Sequence, residues 1–207
     1  MGRDEAAGGT RLVDALAGPG FGVEPEFVTA DLVRVLAAGI AQRRASGDFR
    51  AAAVGAGARR AVRPEIRGDE IAWLLRPESD AELEVLARLD RLRERLNREL
   101  TLGLEDFECH YAIYPAGAGY VRHLDRSPGG AERVVSAVLY LNERWQPGDG
   151  GELVIFAEDG ATVVPPRAGT LVLFLSERLE HEVRTARRMR LSLTGWFRRR
   201  PLGGVVR

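Results

Sequence analysis

The chain has 207 residues, 45% of them apolar, with 30 Lys+Arg against 30 Asp+Glu. That apolar content at this length supports a full hydrophobic core, which excludes a disordered chain and any need for disulfides or a metal simply to fold. A formal charge of zero lacks the basic excess that nucleic acids and anionic membranes select, so neither is expected as a partner.

Every basic residue is an arginine. Without lysine, Schiff-base catalysis and the phosphate-loop lysine both drop out. The single cysteine, Cys109, stands in a strand-like run and reads as a small buried hydrophobe rather than a reactive thiol. No window approaches about 18 consecutive apolar residues, and the first residues carry acids without an apolar segment. These features predict a cytoplasmic protein, working as a monomer in a reducing compartment.

In chain order, a short helix is expected from Thr10 to Ala17, ended by Gly18 and Pro19. A second spans Thr29 to Arg44, with Thr29 or Asp31 as N-cap and Leu32, Val35, Leu36 and Ile40 on one stripe. A third runs from Ser79 to Leu100. Ser79 and Glu82 have capping-box spacing, Leu83, Leu86, Leu89, Leu92, Leu96 and Leu100 form the expected seam, and the intervening Arg and Glu form a solvated face. Between the second and third helices, residues from Ala51 to Asp69 show little periodicity and read as a long loop of the kind that carries function.

From Phe107 onward the pattern changes to seven or eight short β runs separated by Gly and Pro turns, the signature of a sandwich or jelly-roll barrel. The fold class is therefore α+β. Residues 10–106 make a helix-rich support with a substrate loop and residues 107–198 a jelly-roll core, in one domain spanning 1–207 with the N-terminal helices packed on one sheet.

His123 and Asp125 are two apart on a predicted strand, so both project from one face with Cα atoms roughly 6.6 Å apart. His181 on a later strand supplies a third ligand. Two imidazoles and one carboxylate make a facial triad for Fe(II) with open positions for other ligands. On the last strand, Leu191 and Leu193 share one face while Arg190, Ser192 and Thr194 share the other. If the Leu face packs under the helices, Arg190 points into the barrel, where a buried guanidinium needs an anion. That anion is either an internal Asp or Glu or the carboxylate of a 2-oxoacid cosubstrate, with Tyr140 as a second donor.

With these motifs in hand, the sequence resembles the 2-oxoglutarate and Fe(II)-dependent dioxygenases, on the prolyl 4-hydroxylase branch that holds the hypoxia-inducible-factor prolyl hydroxylases and their bacterial relatives. The matching segments are IRGDEIAW (66–73), YPAGAGYVRHLD (114–125), LYLNERW (139–145), GGELVIF (150–156), and HEVR followed by RLSLTGW. The resemblance implies a double-stranded β-helix, with His123, Asp125 and His181 as iron ligands. It gives Arg190 and Tyr140 the distal carboxylate of 2-oxoglutarate, and places Tyr114, Thr194 and Trp196 on the cosubstrate pocket wall. O2 is the oxidant, with ascorbate as a reductant. The segment from Ala51 to Asp69 becomes a lid over the substrate, with Arg67 and Asp69 as a polar hinge or peptide contacts, or alternatively a turn-stabilising ion pair. Arg190 stands where the collagen-type branch has Lys, and Trp196 where the nucleic-acid demethylases have a second Arg, so both branches are disfavoured.

The implied reaction is 4-hydroxylation of a proline in a flexible loop of a protein substrate, with a switch loop of elongation factor Tu as one target. A hydroxylase of a free amino acid or small peptide, and a noncatalytic iron or 2-oxoglutarate sensor or interaction domain, are the alternatives.

Overall fold

Residues 11–55, 60–125 and 132–199 are described by the computed structural model; Thr10 lies outside them. Helix α1 covers 11–17. The chain then makes an edge strand, β1 (Phe21–Glu24), which the glycine-rich sequence did not announce. Thr29 caps α2 (Ala30–Ala45), its side chain accepting from the Leu32 N–H at 3.3 Å. Ser79 caps α3 (Asp80–Leu100) in the same way.

The capping box is offset. Glu82 turns back to the N–H of Glu78 at 2.6 Å rather than to that of Ser79. Its carboxylate also accepts from Arg43 at 3.0 Å and from the Tyr111 hydroxyl at 3.0 Å, so Glu82 is 3% exposed. The seam of α3 starts with Ala81 and Val85, and Leu83 is 54% exposed, correcting the expected register at its N-terminal end.

The predicted long loop is largely extended chain. β2 (Arg50–Ala51) leads into a hairpin finger of β3 (Ala53–Val54) and β4 (Ala61–Val62), and the chain returns as β5 (Glu70–Trp73). Residues 56–59 of the expected lid lie outside the described residues.

Eight strands follow: β6 (Asp106–Tyr114), β7 (Tyr120–His123), β8 (Glu132–Tyr140), β9 (Leu153–Ala157), β10 (Gly160–Val164), β11 (Leu171–Leu175), β12 (Glu180–Val183) and β13 (Arg190–Arg199). With β1, β2 and β5 they form a seven-stranded sheet in the order β1-β11-β8-β13-β6-β5-β2 facing a four-stranded sheet in the order β10-β9-β12-β7, all pairs antiparallel, in a jelly roll.

Alternation along the large sheet separates two cores. Cys109, Tyr111, Ile113, Leu139 and Leu193 face outward and bury the helices, packing on Leu36, Ile40, Leu89 and Leu96. Burial pushes the Cys109 thiol up to about 12, as befits an inert hydrophobe. Their neighbours Ala112, Tyr114, Val138 and Tyr140 face inward against Leu153, Ile155 and Val183 of the small sheet. The inverted face of β13 follows the same rule: Leu191 and Leu193 meet the helices, and Arg190 enters the barrel. No helix among the described residues is long and apolar enough to cross a membrane.

Candidate active site

A cleft opens between the two sheets, and its lining runs from Arg67 and Asp69 to Arg190. His181 on β12 is the direct register partner of His123 on β7. Asp125 does not share that strand, because β7 stops at His123. Hydrogen bonds from two strands of the opposite sheet fix it instead. Its Oδ2 accepts from Ser136 Oγ of β8 at 2.7 Å and from Trp196 Nε1 of β13 at 2.9 Å.

His123 Nε2 lies 3.6 Å from Asp125 Oδ1, and His181 Nε2 lies 3.7 Å from Oδ2. One ligand atom from each residue falls within 4.8 Å of the others. The remaining ring nitrogens face main-chain oxygens: His123 Nδ1 is 2.8 Å from Val121 O, and His181 Nδ1 is 3.2 Å from Leu179 O. A carbonyl only accepts, so Nδ1 carries the proton in both rings and both Nε2 lone pairs remain free for an ion.

Burial alone would raise the Asp125 carboxyl. Attraction to His181 and His123 in their protonated forms, together with the Trp196 indole N–H, outweighs it and holds the group well below the usual carboxylate range. Burial lowers His181, against the attraction of Asp125, and keeps it neutral. Because ionised Asp125 can only accept, Ser136 donates to it and in turn receives the Ser176 hydroxyl, 2.9 Å away. Two imidazole nitrogens and one carboxylate suit a divalent transition metal.

The other end of the cleft is built for an anion. Arg190 is 2% exposed. Its Nε donates to Gly151 O at 2.9 Å, and its guanidinium carbon lies 4.9 Å and 5.0 Å from the ring centres of Tyr114 and Tyr140. A side chain at Gly151 would press on it, since a Cβ there falls 3.0 Å from Arg190 Cδ. Among the described residues no carboxylate stands within ion-pair distance of Arg190, which removes the internal-partner alternative. The Tyr140 hydroxyl is buried without a hydrogen-bond partner. Burial raises this phenol despite the nearby Arg190, leaving it a donor. A fork of N–H groups beside an unspoken O–H matches a carboxylate. Tyr114 and Thr194 line the passage between the two ends.

At the mouth, Arg67 grips Asp69 with both nitrogens, at 2.7 Å and 2.9 Å. The ion pair offered as one alternative is therefore present, and it also lines the cleft. Burial would lower the Arg67 guanidinium, and the Asp69 carboxylate more than reverses this.

Sequence reasoning passed over His110, Ser136 and Tyr120. His110 is 1% exposed, lines the cleft beside Trp73 and Trp196, and has no hydrogen-bond partner on either ring nitrogen. Strand parity was the available signal: His110 shares it with Ala112 and Tyr114, and Ser136 with Tyr140.

Comparison with known proteins agrees with this geometry. A family model described as the 2OG-Fe(II) oxygenase superfamily matches residues 109–198. A prolyl-4-hydroxylase structure from Pseudomonas putida is 52% identical with a TM-score of 0.85, covering 92% of this chain and 99% of that one. A prolyl hydroxylase structure, in complex with a hypoxia inducible factor oxygen degradation domain peptide fragment from Trichoplax adhaerens, is 29% identical with a TM-score of 0.84, covering 95% and 91%. Egl nine homolog 1 of Mus musculus is 34% identical over 144 residues, covering 64% of this chain and 35% of that protein. The chain thus spans between 33% and 42% of the length of the Egl nine proteins it matches.

Proposed function

The chain belongs to the prolyl hydroxylase branch of the 2OG-Fe(II) oxygenase superfamily, and from that premise we propose that it is a prolyl 4-hydroxylase acting on a proline in a flexible loop of a protein substrate. The observation that carries this reading is the pairing, within one cleft, of a His-Asp-His donor set with a buried arginine that has no counter-charge among the described residues.

His123, Asp125 and His181 would hold the iron, with Asp125 binding through Oδ1, because Oδ2 is already taken by Ser136 and Trp196. Arg190 and Tyr140 would bind the distal carboxylate of 2-oxoglutarate, with Tyr114, Thr194 and Trp196 along the cosubstrate wall. With iron bound, the centre supplies O2 activation coupled to oxidative decarboxylation of 2-oxoglutarate to succinate and carbon dioxide, and one oxygen atom goes to the substrate. This chain's residues orient and exclude. Arg190 and Tyr140 set the reach of the cosubstrate from a dry end of the cleft, Ser136 and Trp196 fix the rotation of the Asp125 carboxylate, and the finger would cover the substrate against water.

The charge inventory favours a peptide over a free amino acid. Apart from the triad, the charged cleft residues are Arg67 and Asp69, which neutralise each other, and Arg190. Among the described residues this set does not hold both the ammonium and the carboxylate of a zwitterion, whereas a peptidyl proline is neutral at both ends. The need for ferrous iron suits a cytoplasmic setting, and the single buried Cys109 calls for no oxidising one.

The test is to incubate cell-lysate proteins with the purified chain, Fe(II) and 2-oxoglutarate, then search by mass spectrometry for prolines that gain one oxygen. The switch loop of elongation factor Tu is the first candidate to inspect. Modification that needs 2-oxoglutarate and disappears with His181→Ala supports the proposal. Succinate release without any modified proline points to a small-molecule substrate, and no succinate at all to a sensor.

A further inference from the structure

β7 is the outer strand of the small sheet and is four residues long, yet it ends on His123 and leads straight to Asp125. Two of the three proposed ligands therefore depend on a sheet edge. His181 does not: β12 is paired on both sides, and its imidazole rests against Phe174 with ring centres 4.4 Å apart.

The base of the finger closes that edge. Val121 N–H donates to Ile66 O at 2.9 Å, Gly68 N–H donates to Gly119 O at 3.0 Å, and Arg67 stands opposite Tyr120 in an antiparallel bridge. The approach requires glycine, because a Cβ at Gly68 would lie 2.9 Å from the Ala118 Cβ. Val121, tied to Ile66 through its N–H, is the residue whose carbonyl fixes the His123 ring nitrogen. Side chains repeat the connection. Asp69, 2% exposed, clamps Arg67; the Arg67 guanidinium lies 5.0 Å from the centre of the Tyr120 ring; and Tyr120 stacks on His123 with centres 3.5 Å apart and planes 18° from parallel.

We propose that the finger base is the positioning element of the metal centre, with Arg67 and Tyr120 fixing the ring plane of His123. This rests on the assignment of the triad as the iron site. Position and plane of a ligand ring govern metal affinity, so the finger and the metal are coupled, and coupling runs both ways. A peptide gripped by the finger tightens the centre, and a bound metal steadies the finger.

The test uses Co(II) as the probe on the purified chain, with affinity from calorimetry, geometry from the visible d–d absorption, and a melting temperature for each variant. Tyr120→Leu is expected to bind Co(II) about tenfold more weakly or worse, with a shifted absorption band, and Arg67→Met to lose affinity in the same direction, as second-layer changes at metal sites do. Tyr120→Phe, which keeps the stacked ring, restores both. Where Tyr120→Leu also lowers the melting temperature, Arg67→Met, which leaves Tyr120 in place, decides. Wild-type affinity and an unchanged band in both variants overturn the proposal. A wild-type chain that binds no Co(II) is a separate outcome: it removes the metal assignment itself, and this inference with it.

Discussion

Two arginines stand on opposite faces of one sheet, Arg43 half-buried and Arg190 fully buried, and they differ in what neutralises them. Arg43, on α2, is answered from within: Glu82 accepts from it at 3.0 Å and 3.2 Å, Glu78 lies at 3.0 Å, and the Tyr111 ring centre is 5.9 Å away. Arg190, on β13, has two aromatic faces and a main-chain oxygen but no carboxylate among the described residues. A complete set of partners marks a cation that holds the fold together, and an incomplete set marks one kept ready for a ligand.

The sharpest break in this comparison comes at Arg43. Arg43→Met leaves the Glu82 carboxylate buried without its cation, and the unfolding free energy from urea titration should fall by about 3–5 kcal/mol. Adding Glu82→Leu should recover much of the loss, because replacing a whole buried pair with apolar groups is close to neutral. Affinity for 2-oxoglutarate should not move in either variant.

Arg190→Met should behave in the opposite way. It removes a buried cation without orphaning an internal anion, so the unfolding midpoint should stay or rise. The 2-oxoglutarate affinity, read from the concentration dependence of succinate release, should fall about a hundredfold, as expected when one partner of a buried charge pair is truncated. A large loss of stability with unchanged cosubstrate affinity would mean that the two arginines had been assigned the wrong way round.

His110 and Tyr140 extend the comparison to neutral groups. They hold the only buried side-chain nitrogen or oxygen atoms among the described residues that lack a hydrogen-bond partner, and both line the inner face of the large sheet. Burial lowers His110 from 6.5 to about 3, with Arg67 adding to the effect. Between those values the unfolded chain takes up a proton that the folded chain refuses, so stability falls as pH drops below about 6.5, by up to about 1.4 kcal/mol per pH unit. His110→Met should remove that contribution. At about pH 8 it should raise stability by about 1–3 kcal/mol by removing two unpartnered ring nitrogens. Urea titrations at about pH 8 and pH 5 test both parts, and equal acid sensitivity in the two proteins would mean that His110 has a partner.

Much of this site was legible because strand parity is a rigid rule. The Leu191 and Leu193 alternation places Arg190 inside without reference to any other residue. Asp125 was misplaced because a strand ends where its pairing ends, and the length of β7 is set by β12 and by residues 66–68, far away in the sequence. The finger looked like a loop for a related reason: Ala, Gly and Arg have little strand preference, and its extension comes from the chain it pairs with. The capping pattern picks out Glu82 but says nothing about Arg43 and Tyr111 arriving from other elements.

The α3 seam holds the smallest expected effect, at Leu83, beside a large one at Leu89. Reading Leu83, Leu86 and Leu89 as one stripe uses a strict three-residue step, and each such step drifts about 60° around a helix. Over two steps Leu83 and Leu89 come to lie about 120° apart, so they cannot both face the sheet. The buried set, Ala81, Val85, Leu89, Leu92 and Leu96, advances instead by fours and threes and stays on one side. Leu89→Ala, at 1% exposure, should cost about 2–5 kcal/mol in urea titration through the cavity it opens. Leu83→Ala, at 54% exposure, should cost less than about 0.5 kcal/mol. Equal losses would mean that α3 is rotated about its axis, and the same rotation would carry Glu82 away from Arg43 and remove the internal counter-charge on which the contrast with Arg190 depends.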